Sequence, residues 1–335
     1  MGHVCVITVT YGKRWSLLRR VLLDGLACQT HQISQVFIVD NGAETDLKTS
    51  LQELVLPFQV EVIGLGHNTG SASGFKSGME AALRTDCNFL WLLDDDNCPE
   101  PDALQKLFET RTAQGNNPLH AFASFRTDRE KYVRALIGKD KLDPIQHDSF
   151  HGFHLGDLLR LARKRIRKPT PLPPMPSGAV CQIGYAIYGG LLLGVDLVRK
   201  IGLPDESYFL YMDDREFTVR IPLAGGAIFL VSESRVVDLE TSWNIKKGVK
   251  ALPMMDTEMP PDKVYYTNRN QVAFDRKYVI RSVPIYLINA AIFFLLALAR
   301  GLLQNRSLFP TLARFRLLLA AFWDGWTGRM GPKAS

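Results

Sequence analysis

Three consecutive carboxylates, Asp94, Asp95 and Asp96, follow directly on the apolar run Phe89–Leu93. Adjacent carboxylates repel one another, so a fold that gathers them at a strand end needs a counter-charge. A divalent cation supplies it most simply, because hard oxygen ligands suit Mg²⁺ or Mn²⁺. Residues at positions i and i+2 of an extended segment point the same way, which favours Asp94 and Asp96 as the ligands. Asp95 would then face a neighbouring loop or the hydroxyls of a sugar or ribose. The competing interpretation is a solvated acidic turn.

A second acidic pair, Asp213 and Asp214, stands before the predicted helix Phe217–Ala224. A helix N-terminus stabilises the ionised form of nearby carboxylates. Transfer to a sugar carbon requires a base that takes the proton of the acceptor hydroxyl, and Asp214 is the candidate for it. Asp213 is assigned to the acceptor side of the same site. A cation held by Asp94 and Asp96 would bridge the two phosphates of a nucleotide-diphosphate donor. Helix capping is the alternative role for Asp214.

The elements that must position these acids alternate between strand and helix. Apolar, β-branched runs predict strands, and apolar residues at helical spacing predict helices. The predicted strands are Val4–Thr10, Val36–Val39, Val60–Ile63 and Phe89–Leu93, and the predicted helices are Trp15–Leu26, Phe75–Leu83 and Asp102–Gln114. This alternation indicates an α/β fold with a parallel sheet covered by helices. Ligands of such sheets bind at the carboxyl ends of the strands. Tyr11, Asp40, the glycine-rich loop Gly64–Gly74 and the Asp94 group all stand at those ends, which predicts a nucleotide site there.

Two other nucleotide-binding classes are disfavoured because their motifs are missing. A dinucleotide dehydrogenase needs Gly-x-Gly-x-x-Gly directly after the first strand, whereas the turn Thr10–Arg14 contains only Gly12. The later stretch Gly64–Gly70 has Thr69 where the third glycine would stand. A Walker phosphate-binding loop is absent as well. The sequence therefore favours a metal-bound nucleotide diphosphate over hydride transfer.

Several stretches of the chain, taken in order, resemble glycosyltransferase family 2, the inverting nucleotide-sugar transferases with a GT-A fold. They are Val6–Tyr11, Val39–Asn41, Asn68–Gly70, Leu92–Asp96 and Phe209–Asp214. The resemblance implies a Rossmann-like, mostly parallel sheet flanked by helices, with a C-terminal helical extension. The implied site has Tyr11 and Asp40 on the base and ribose, Asn68 and Gly70 along the donor, Asp94 and Asp96 on the metal, Asp214 as catalytic base, and Gly189 and Gly190 around the acceptor.

The later residues Tyr265-Tyr266-x-x-Arg269-Asn270 are similar to bacterial rhamnosyl- and galactofuranosyltransferases of polysaccharide assembly. That similarity implies UDP-galactofuranose or dTDP-rhamnose as the donor and a lipid-linked or polysaccharide glycan as the acceptor. Galactofuranosyltransferases of this family often supply a histidine as a third metal ligand downstream of the base. Every histidine here lies at or before His154, and Asp238 occupies the comparable place, either as an oxygen ligand or as a turn cap. A carboxylate-pair glycoside hydrolase and a non-catalytic nucleotide- or carbohydrate-binding protein remain alternatives.

Charge is distributed unevenly along the chain, whose net charge is +6. One basic cluster is Arg160–Lys168, and from Arg276 onward Asp324 is the only acid. Interleaved basic and aromatic residues typical of nucleic-acid binding are lacking, so an anionic lipid surface or a phosphorylated substrate is the expected partner, and nucleic acid is not. The five cysteines are scattered and contain no Cys-x-x-Cys pair, which favours a reducing, cytoplasmic setting.

The chain is expected to divide into a GT-A catalytic domain over residues 1–240 and a mainly helical region over residues 241–335. Residues 139–177 would be an inserted basic, proline-rich loop with a helix at Leu155–Ile166. In the C-terminal region Ser282–Ala299 is uncharged and Leu308–Trp326 is amphipathic. These segments predict a membrane span, an interfacial helix, or a hairpin that packs on the protein or in a homo-oligomer. The expected location is the cytoplasmic face of the membrane, as a peripheral protein.

Overall fold

The structure, a computed structural model, describes residues 2–126, 129–138, 140–157, 176–240, 252–305 and 307–333. Contacts divide the chain into two compact units. The first comprises Met1–Pro144, Pro173–Phe209 and Asp213–Ser242, and the second comprises Ile145–Leu172, Leu210–Met212 and Trp243–Ser335. The basic cluster Arg160–Lys168 and about half of the predicted inserted loop lie outside the described residues. Of the predicted helix Leu155–Ile166, the structure describes only a 3₁₀ turn at Leu155–Asp157.

The first unit is built around a nine-stranded sheet. Its strands are β1 (Val4–Gly12), β2 (Gln35–Ala43), β3 (Gln59–Gly64), β4 (Phe89–Asp94), β5 (Asn97–Pro99), β6 (His120–Phe125), β7 (Val180–Ile183), β8 (Leu191–Gly194) and β9 (Ala227–Asp238). Its helices are α1 (Trp15–Arg20, continued by a π-helical turn over Val21–Leu26), α2 (Leu47–Gln52), α3 (Ser71–Ala82), α4 (Ala103–Ala113), α5 (Glu130–Leu136), α6 (Val195–Ile201) and α7 (Asp213–Leu223). The predicted α/β class is confirmed.

The strand order is β3-β2-β1-β4-β8-β6-β9-β5, and β7 also pairs with β9. Strands β3, β2, β1 and β4 are parallel, which confirms the sequence prediction for this part of the chain. Strand β8 runs antiparallel between β4 and β6, and β9 is parallel to β6. The sheet is therefore mixed. Strands β1, β2, β3, β4, β6 and β9 nevertheless all run in the same direction. Their carboxyl ends therefore lie along one edge of the sheet, where the site is found.

The sheet is covered by apolar side chains on both faces. Residues Leu90–Leu93 of β4 are fully buried, as expected of a central strand. Leu90 and Leu92 belong to one core cluster, and Trp91 and Leu93 belong to the other. Helix α3 packs very close to the sheet, because a Cβ added at Gly74 or Gly78 would lie only 2.6 or 2.4 Å from a strand side chain. Glycine at these two positions thus fixes α3 against the strands that carry the site.

Two helices begin earlier than the sequence predicted. Helix α3 starts at Ser71 rather than Phe75, so the glycine-rich loop is shorter than expected. Glycine and serine have weak helix propensity, but the close packing of Gly74 on the sheet overrides that local preference. Helix α7 starts at Asp213 rather than Phe217, which puts both acids of the second group in its first turn.

The second unit contains α8 (Pro261–Phe274), α9 (Val283–Asn305) and α10 (Leu308–Thr327), which confirms the predicted helical C-terminal region. Helix α9 is long and apolar enough to cross a membrane by length and composition. One of its faces is nevertheless buried through polar contacts. The Asn289 amide donates to the Asp148 carbonyl at 2.8 Å and accepts from the Leu155 N–H at 2.9 Å, and the Tyr286 hydroxyl donates to Asp275 at 3.0 Å.

Candidate active site

The first acidic group lies at the carboxyl edge of the sheet, in the tight turn from β4 to β5. Its centre is Asn97, a fully buried residue that sequence reasoning did not single out. The Asn97 side-chain oxygen accepts from the Asp94 backbone N–H at 3.0 Å. Its amide nitrogen donates to Asp96 at 3.1 Å and to Asp238 at 3.0 Å. One neutral amide therefore fixes the predicted metal-ligand residues relative to one another.

Arginines supply part of the counter-charge that the sequence assigned to a cation. Arg126 follows β6 and is 3% exposed. Its guanidinium is ion-paired with Asp238 and lies 3.8 Å from the Asp94 carboxylate. The Arg129 guanidinium lies 3.3 Å from Asp238. Asp238 was predicted as a third metal ligand or as a turn cap. The structure places it beside Asp94 and Asp96, the predicted ligand pair, as the partner of two arginines.

Arg14 pairs with the middle acid of the group. Its Nε lies 2.8 and 2.9 Å from the two carboxylate oxygens of Asp95. Its terminal nitrogens reach Asp96 at 3.4 Å and Glu240 at 2.5 Å, and its guanidinium stands 5.3 Å from the Tyr11 ring centroid. Asp95 therefore faces the neighbouring loop, one of the two predicted orientations. Its contact with a sugar or ribose hydroxyl stays a prediction.

The charges of this cluster do not balance. Five carboxylates meet three guanidinium groups, which leaves two negative charges, the charge of one divalent cation. The carboxylates are Asp94, Asp95, Asp96, Asp238 and Glu240, and the guanidinium groups are Arg14, Arg126 and Arg129. Burial, together with neighbouring carboxylates and against the opposing effect of the arginines, raises the pKa of Asp94, Asp95 and Asp96 to about 6 each. In the described part of the chain, no group of three or more His, Cys, Asp or Glu side chains is arranged so that it could hold a metal ion by itself.

The second acidic group occupies the first turn of α7. Asp213 is 3% exposed and accepts from the Ser71 hydroxyl at 2.9 Å. Burial raises its pKa to about 8, and the adjacent Asp214 adds to the shift. Asp214 is half-buried and accepts from the backbone N–H of Arg215 at 2.6 Å. Burial raises the pKa of Asp214 too, so desolvation outweighs the helix dipole that was expected to favour the ionised form.

The two acidic groups are electrostatic neighbours. The charge of Asp214 is among the causes that raise the pKa of Asp94, and the charge of Asp94 raises the pKa of Asp213. The structure thus brings together the predicted metal ligands and the predicted base, which stand far apart in the sequence.

The predicted donor-side residues lie at the ends of β1 and β2 and in the loop before α3. Asp40 accepts from the two backbone N–H groups that follow Asn41, at 3.2 and 2.8 Å. Asn68 accepts from the Gly70 N–H at 2.9 Å. Asn41, 2% exposed, joins the two segments by accepting from the Thr69 N–H at 2.7 Å and donating to the Gly70 carbonyl at 3.0 Å. These residues and the exposed Tyr11 share the edge with the Asp94 group.

Gly189 and Gly190 lie against the acidic cluster. A Cβ at Gly189 would stand 2.2 Å from Asn97 Oδ1, 2.7 Å from the Arg126 guanidinium and 3.0 Å from the Asp94 carboxylate. Gly190 has a left-handed φ of +92°. Only glycine leaves the cluster undisturbed at position 189. The predicted role of both residues around an acceptor stays a prediction.

Sequence reasoning missed Arg14, Asn41, Asn97 and Arg126. The strand-end rule that selected Tyr11 and Asp40 would also have selected Arg126, which follows β6 directly. Asn97 stands next to the acidic triplet. Arg14 offered no local signal, because its partners Asp95 and Glu240 come from distant parts of the chain.

Residues 5–153 match the family model for glycosyl transferase family 2. The chain carries a family 2 glycosyltransferase domain. Among curated proteins, the galactofuranosyltransferase GlfT1 of Mycolicibacterium smegmatis is 25% identical over 280 residues, which cover 80% of this chain and 81% of the relative. The protein is therefore a glycosyltransferase.

Solved structures place this glycosyltransferase in the GT-A fold. The structure of residues 1–349 of S. aureus TarS in complex with UDP-GlcNAc superposes with a TM-score of 0.53 at 13% identity, covering 98% of this chain and 82% of the TarS 1–349 chain. The structure of GalNAc-T7 with UDP, GalNAc and Mn²⁺ superposes with a TM-score of 0.55 at 14% identity. It covers 82% of this chain, which spans only 48% of that longer protein.

Proposed function

We propose that this glycosyltransferase is an inverting, divalent-cation-dependent enzyme that transfers a sugar from a nucleotide-diphosphate donor to a lipid-linked or polysaccharide acceptor. The observation that carries the proposal is the meeting of two acidic groups at one sheet edge, with Asp214 close enough for its charge to raise the pKa of Asp94. A base on one side of the sugar carbon and a held diphosphate on the other produce a single displacement, which inverts the configuration.

The first group fits a divalent cation because its uncompensated charge equals that of one such ion. Asp94 and Asp96 would hold the ion, with Asp238 as the proposed third oxygen ligand or the counter-ion of Arg126. An incomplete protein cage suits Mg²⁺ or Mn²⁺, which commonly combine one or two carboxylates with substrate phosphates. When bound, the cation neutralises the charge that develops on the departing diphosphate. The Mn²⁺ in the GalNAc-T7 complex supports the choice of a divalent ion.

The second group supplies the base. Asp214 takes the proton of the acceptor hydroxyl as the new bond from that oxygen to the sugar carbon forms. The bond between the sugar carbon and the phosphate oxygen breaks, and the nucleoside diphosphate leaves with the electron pair. Because burial raises the pKa of Asp214 above that of an exposed aspartate, the carboxylate is a stronger base when it is ionised.

For the donor we propose UDP-galactofuranose first and dTDP-rhamnose second, with Tyr11, Asp40, Asn68, Gly70 and Asp95 on the donor side and Gly189, Gly190 and Asp213 on the acceptor side. The curated relative is a galactofuranosyltransferase, which supports galactofuranose. The TarS complex contains UDP-GlcNAc, which supports a uridine nucleotide.

A panel of nucleotide sugars tests this proposal. The full chain is incubated with each donor and a lipid-linked glycan acceptor, with Mn²⁺, with Mg²⁺ or with EDTA, and the released nucleotide and the glycosylated product are measured together. Product and nucleotide in equal amounts, only with a cation, support the proposal. Nucleotide release without glycosylated product indicates hydrolysis instead. Equal transfer in EDTA contradicts the cation.

We propose further that the second unit docks on an anionic membrane surface. Helix α9 and the start of α10 expose large apolar side chains, with Leu295 68%, Leu303 79% and Phe309 82% exposed. Exposed arginines, Arg281 and Arg300, bound the uncharged part of α9. Apolar side chains between basic residues suit an interface of anionic lipid and acyl chains. A peripheral position at the cytoplasmic face would bring the enzyme to a lipid-linked acceptor.

Vesicle binding tests the docking surface. The full chain should co-sediment with phosphatidylcholine vesicles containing phosphatidylglycerol, and Leu303→Asp with Phe309→Asp should reduce the bound fraction about tenfold or more. Val55→Asp is the matched control, since Val55 is a single apolar residue, 96% exposed, in the first unit. If the double variant binds as the wild type does, or if light scattering shows that the same face joins two copies, the docking proposal is wrong.

A further inference from the structure

The four residues before Asp213 form a strained turn. Phe209, Tyr211 and Met212 have φ values of +61°, +66° and +67°. These left-handed conformations are unfavourable for large side chains, because the Cβ atom crowds the backbone carbonyl. Such strain persists only where surrounding contacts hold it, and it concentrates at functional sites. The turn leads without interruption into the Asp213–Asp214 pair at the start of α7.

Asn270 of α8 holds the middle of this turn. It is fully buried, and its amide nitrogen donates to the Leu210 carbonyl at 2.8 Å and to the Tyr211 carbonyl at 2.7 Å. One amide group therefore uses both of its hydrogens on consecutive carbonyls of the strained segment. These contacts stabilise the left-handed backbone of Tyr211 specifically, because its carbonyl direction depends on that conformation.

Arg269 fixes the orientation of the Asn270 amide. Its Nε donates to Asn270 Oδ1 at 2.9 Å, which obliges the amide nitrogen to face the turn. Arg269 is 1% exposed, and its guanidinium stands 4.9 Å from the Tyr266 ring centroid and 5.7 Å from that of Tyr265. The motif Tyr265-Tyr266-x-x-Arg269-Asn270 singled out in the sequence is thus a connected support for the turn.

The first residue of the turn is held separately. The Phe209 carbonyl accepts from the Ala72 N–H at 3.4 Å. A Cβ at Gly70 would lie 2.0 Å from the same carbonyl oxygen, so only glycine permits this approach. Phe209 at one end and Leu210 with Tyr211 in the middle are therefore both fixed by contacts outside the turn.

We infer that Asn270, oriented by Arg269, is a positioning residue for the catalytic base. It holds the segment Leu210–Met212, in which Tyr211 and Met212 are left-handed, in the conformation from which α7 begins, and so it sets the place of the Asp214 carboxylate. This inference rests on the proposed function, in which Asp214 is the base. It adds a role for residues of α8 that contact neither donor nor acceptor in that proposal.

Steady-state kinetics of Asn270→Ala test the inference. We expect kcat to fall about tenfold, the equivalent of the two lost hydrogen bonds, with the KM for the donor unchanged. Asn268→Ala is the matched control, because Asn268 is a buried asparagine of the same helix that donates to the Val264 carbonyl instead. It should keep the wild-type kcat.

A second substitution distinguishes positioning from general stability. Glycine adopts positive φ without steric cost, so Met212→Gly in the Asn270→Ala background should recover most of the lost kcat. Asn270→Ser, which keeps one donor, should lie between Asn270→Ala and the wild type and serves if the alanine variant does not fold. An unchanged kcat in the folded Asn270 variants, or no recovery with Met212→Gly, overturns the inference.

The proposed function fails in a different way. If Asp214→Asn keeps full transfer, the base is wrongly assigned whatever the Asn270 variants show. If Asp214→Asn loses transfer while Asn270→Ala and Asn270→Ser keep it, the proposed function stands and the positioning role alone is wrong.

Discussion

The two acidic groups at the edge of the sheet differ in how the protein compensates them. In the first group, Asp95 is paired with the half-buried Arg14 and Asp238 with the buried Arg126, and Asn97 hydrogen-bonds to Asp96 and to the Asp94 backbone. In the second, Asp213 accepts from a hydroxyl and Asp214 from a backbone N–H. Burial raises the pKa of Asp94 to about 6 but that of Asp213 to about 8. The first arrangement preserves negative charge for the proposed cation, and the second preserves affinity for a proton.

Asp214→Asn is the strongest test of this difference between the two acidic groups. The amide keeps the shape of the side chain but cannot accept a proton, so kcat should fall about a thousandfold, as for the loss of a general base. Donor affinity, measured by calorimetry with the nucleoside diphosphate and Mn²⁺, should stay within about twofold, because this carboxylate does not hold the donor. A large loss of donor affinity would show that Asp214 holds the donor, the role proposed here for the first acidic group.

Asp94→Asn should have the opposite signature. Removing one proposed ligand should weaken the Mn²⁺-dependent binding of the nucleoside diphosphate by about 100-fold. Binding of Mn²⁺ alone, followed by electron paramagnetic resonance, should weaken in parallel. Asp86→Asn is the control, since Asp86 is an exposed carboxylate near the opposite end of β4, with its side chain 80% exposed. Unchanged Mn²⁺ binding in Asp94→Asn would show that the arginines alone balance the group.

Gly189→Ala tests the packing of the first group without changing any charge. The added methyl would displace Asn97, Arg126 or Asp94, and such overpacking typically costs about 1–3 kcal/mol of unfolding free energy. We expect a fall in kcat of about tenfold together with a lower Tm. Gly194→Ala is the matched control, because the nearest atoms to its Cβ lie at 3.7 and 4.0 Å, an ordinary contact. Equal behaviour of the two variants would contradict the tight packing around Asp94.

The mildest test is the pH dependence of stability in Asp213→Asn. The folded-state pKa of Asp213, about 8, lies above the ordinary value of 3.8. Its contribution to stability is therefore complete below pH 4, declines as pH rises, and is lost once pH passes 8. The asparagine variant lacks this decline, so it should gain stability relative to the wild type between pH 5 and about pH 8.5. Urea unfolding at both pH values measures the difference, and a constant difference would contradict the raised pKa.

The part of the fold that the sequence predicted is the part whose signals are local. The apolar runs Leu90–Leu93 and Val36–Val39 predicted buried strands, and every residue in them is fully buried in the structure. The strand-end rule then placed Tyr11, Asp40 and Asp94 at one edge, since the carboxyl ends of parallel strands meet there. The antiparallel insertion of β8 between β4 and β6 had no such signal, because it depends on pairing between distant segments.

The sequence predicted that carboxylates form the site, but it did not predict which positive charges balance them. The triplet Asp94–Asp96 indicated a need for positive charge, and a cation was the simplest source. Arg14 and Arg126 meet the triplet only because β1 ends beside β4, and β6, beyond β8, ends at the same side of the sheet, which no local pattern reveals. The start of α3 was missed for a similar reason, since the contact of Gly74 with the sheet outweighs its weak helix propensity.

The hydrogen bonds of Asn41 have a consequence for the chemical ageing of the enzyme. Asn41 is followed by Gly42, and an Asn-Gly sequence in a flexible chain deamidates readily when the glycine nitrogen attacks the side-chain carbonyl. Here the side-chain oxygen is occupied by Thr69, and the Gly42 N–H donates to Asp40. The folded structure around Asn41, including the Asn68–Gly70 segment, therefore protects this Asn-Gly sequence from deamidation. Loss of that structure would expose Asn41 to conversion into a carboxylate, which cannot donate to Gly70, so damage begun by unfolding would become permanent.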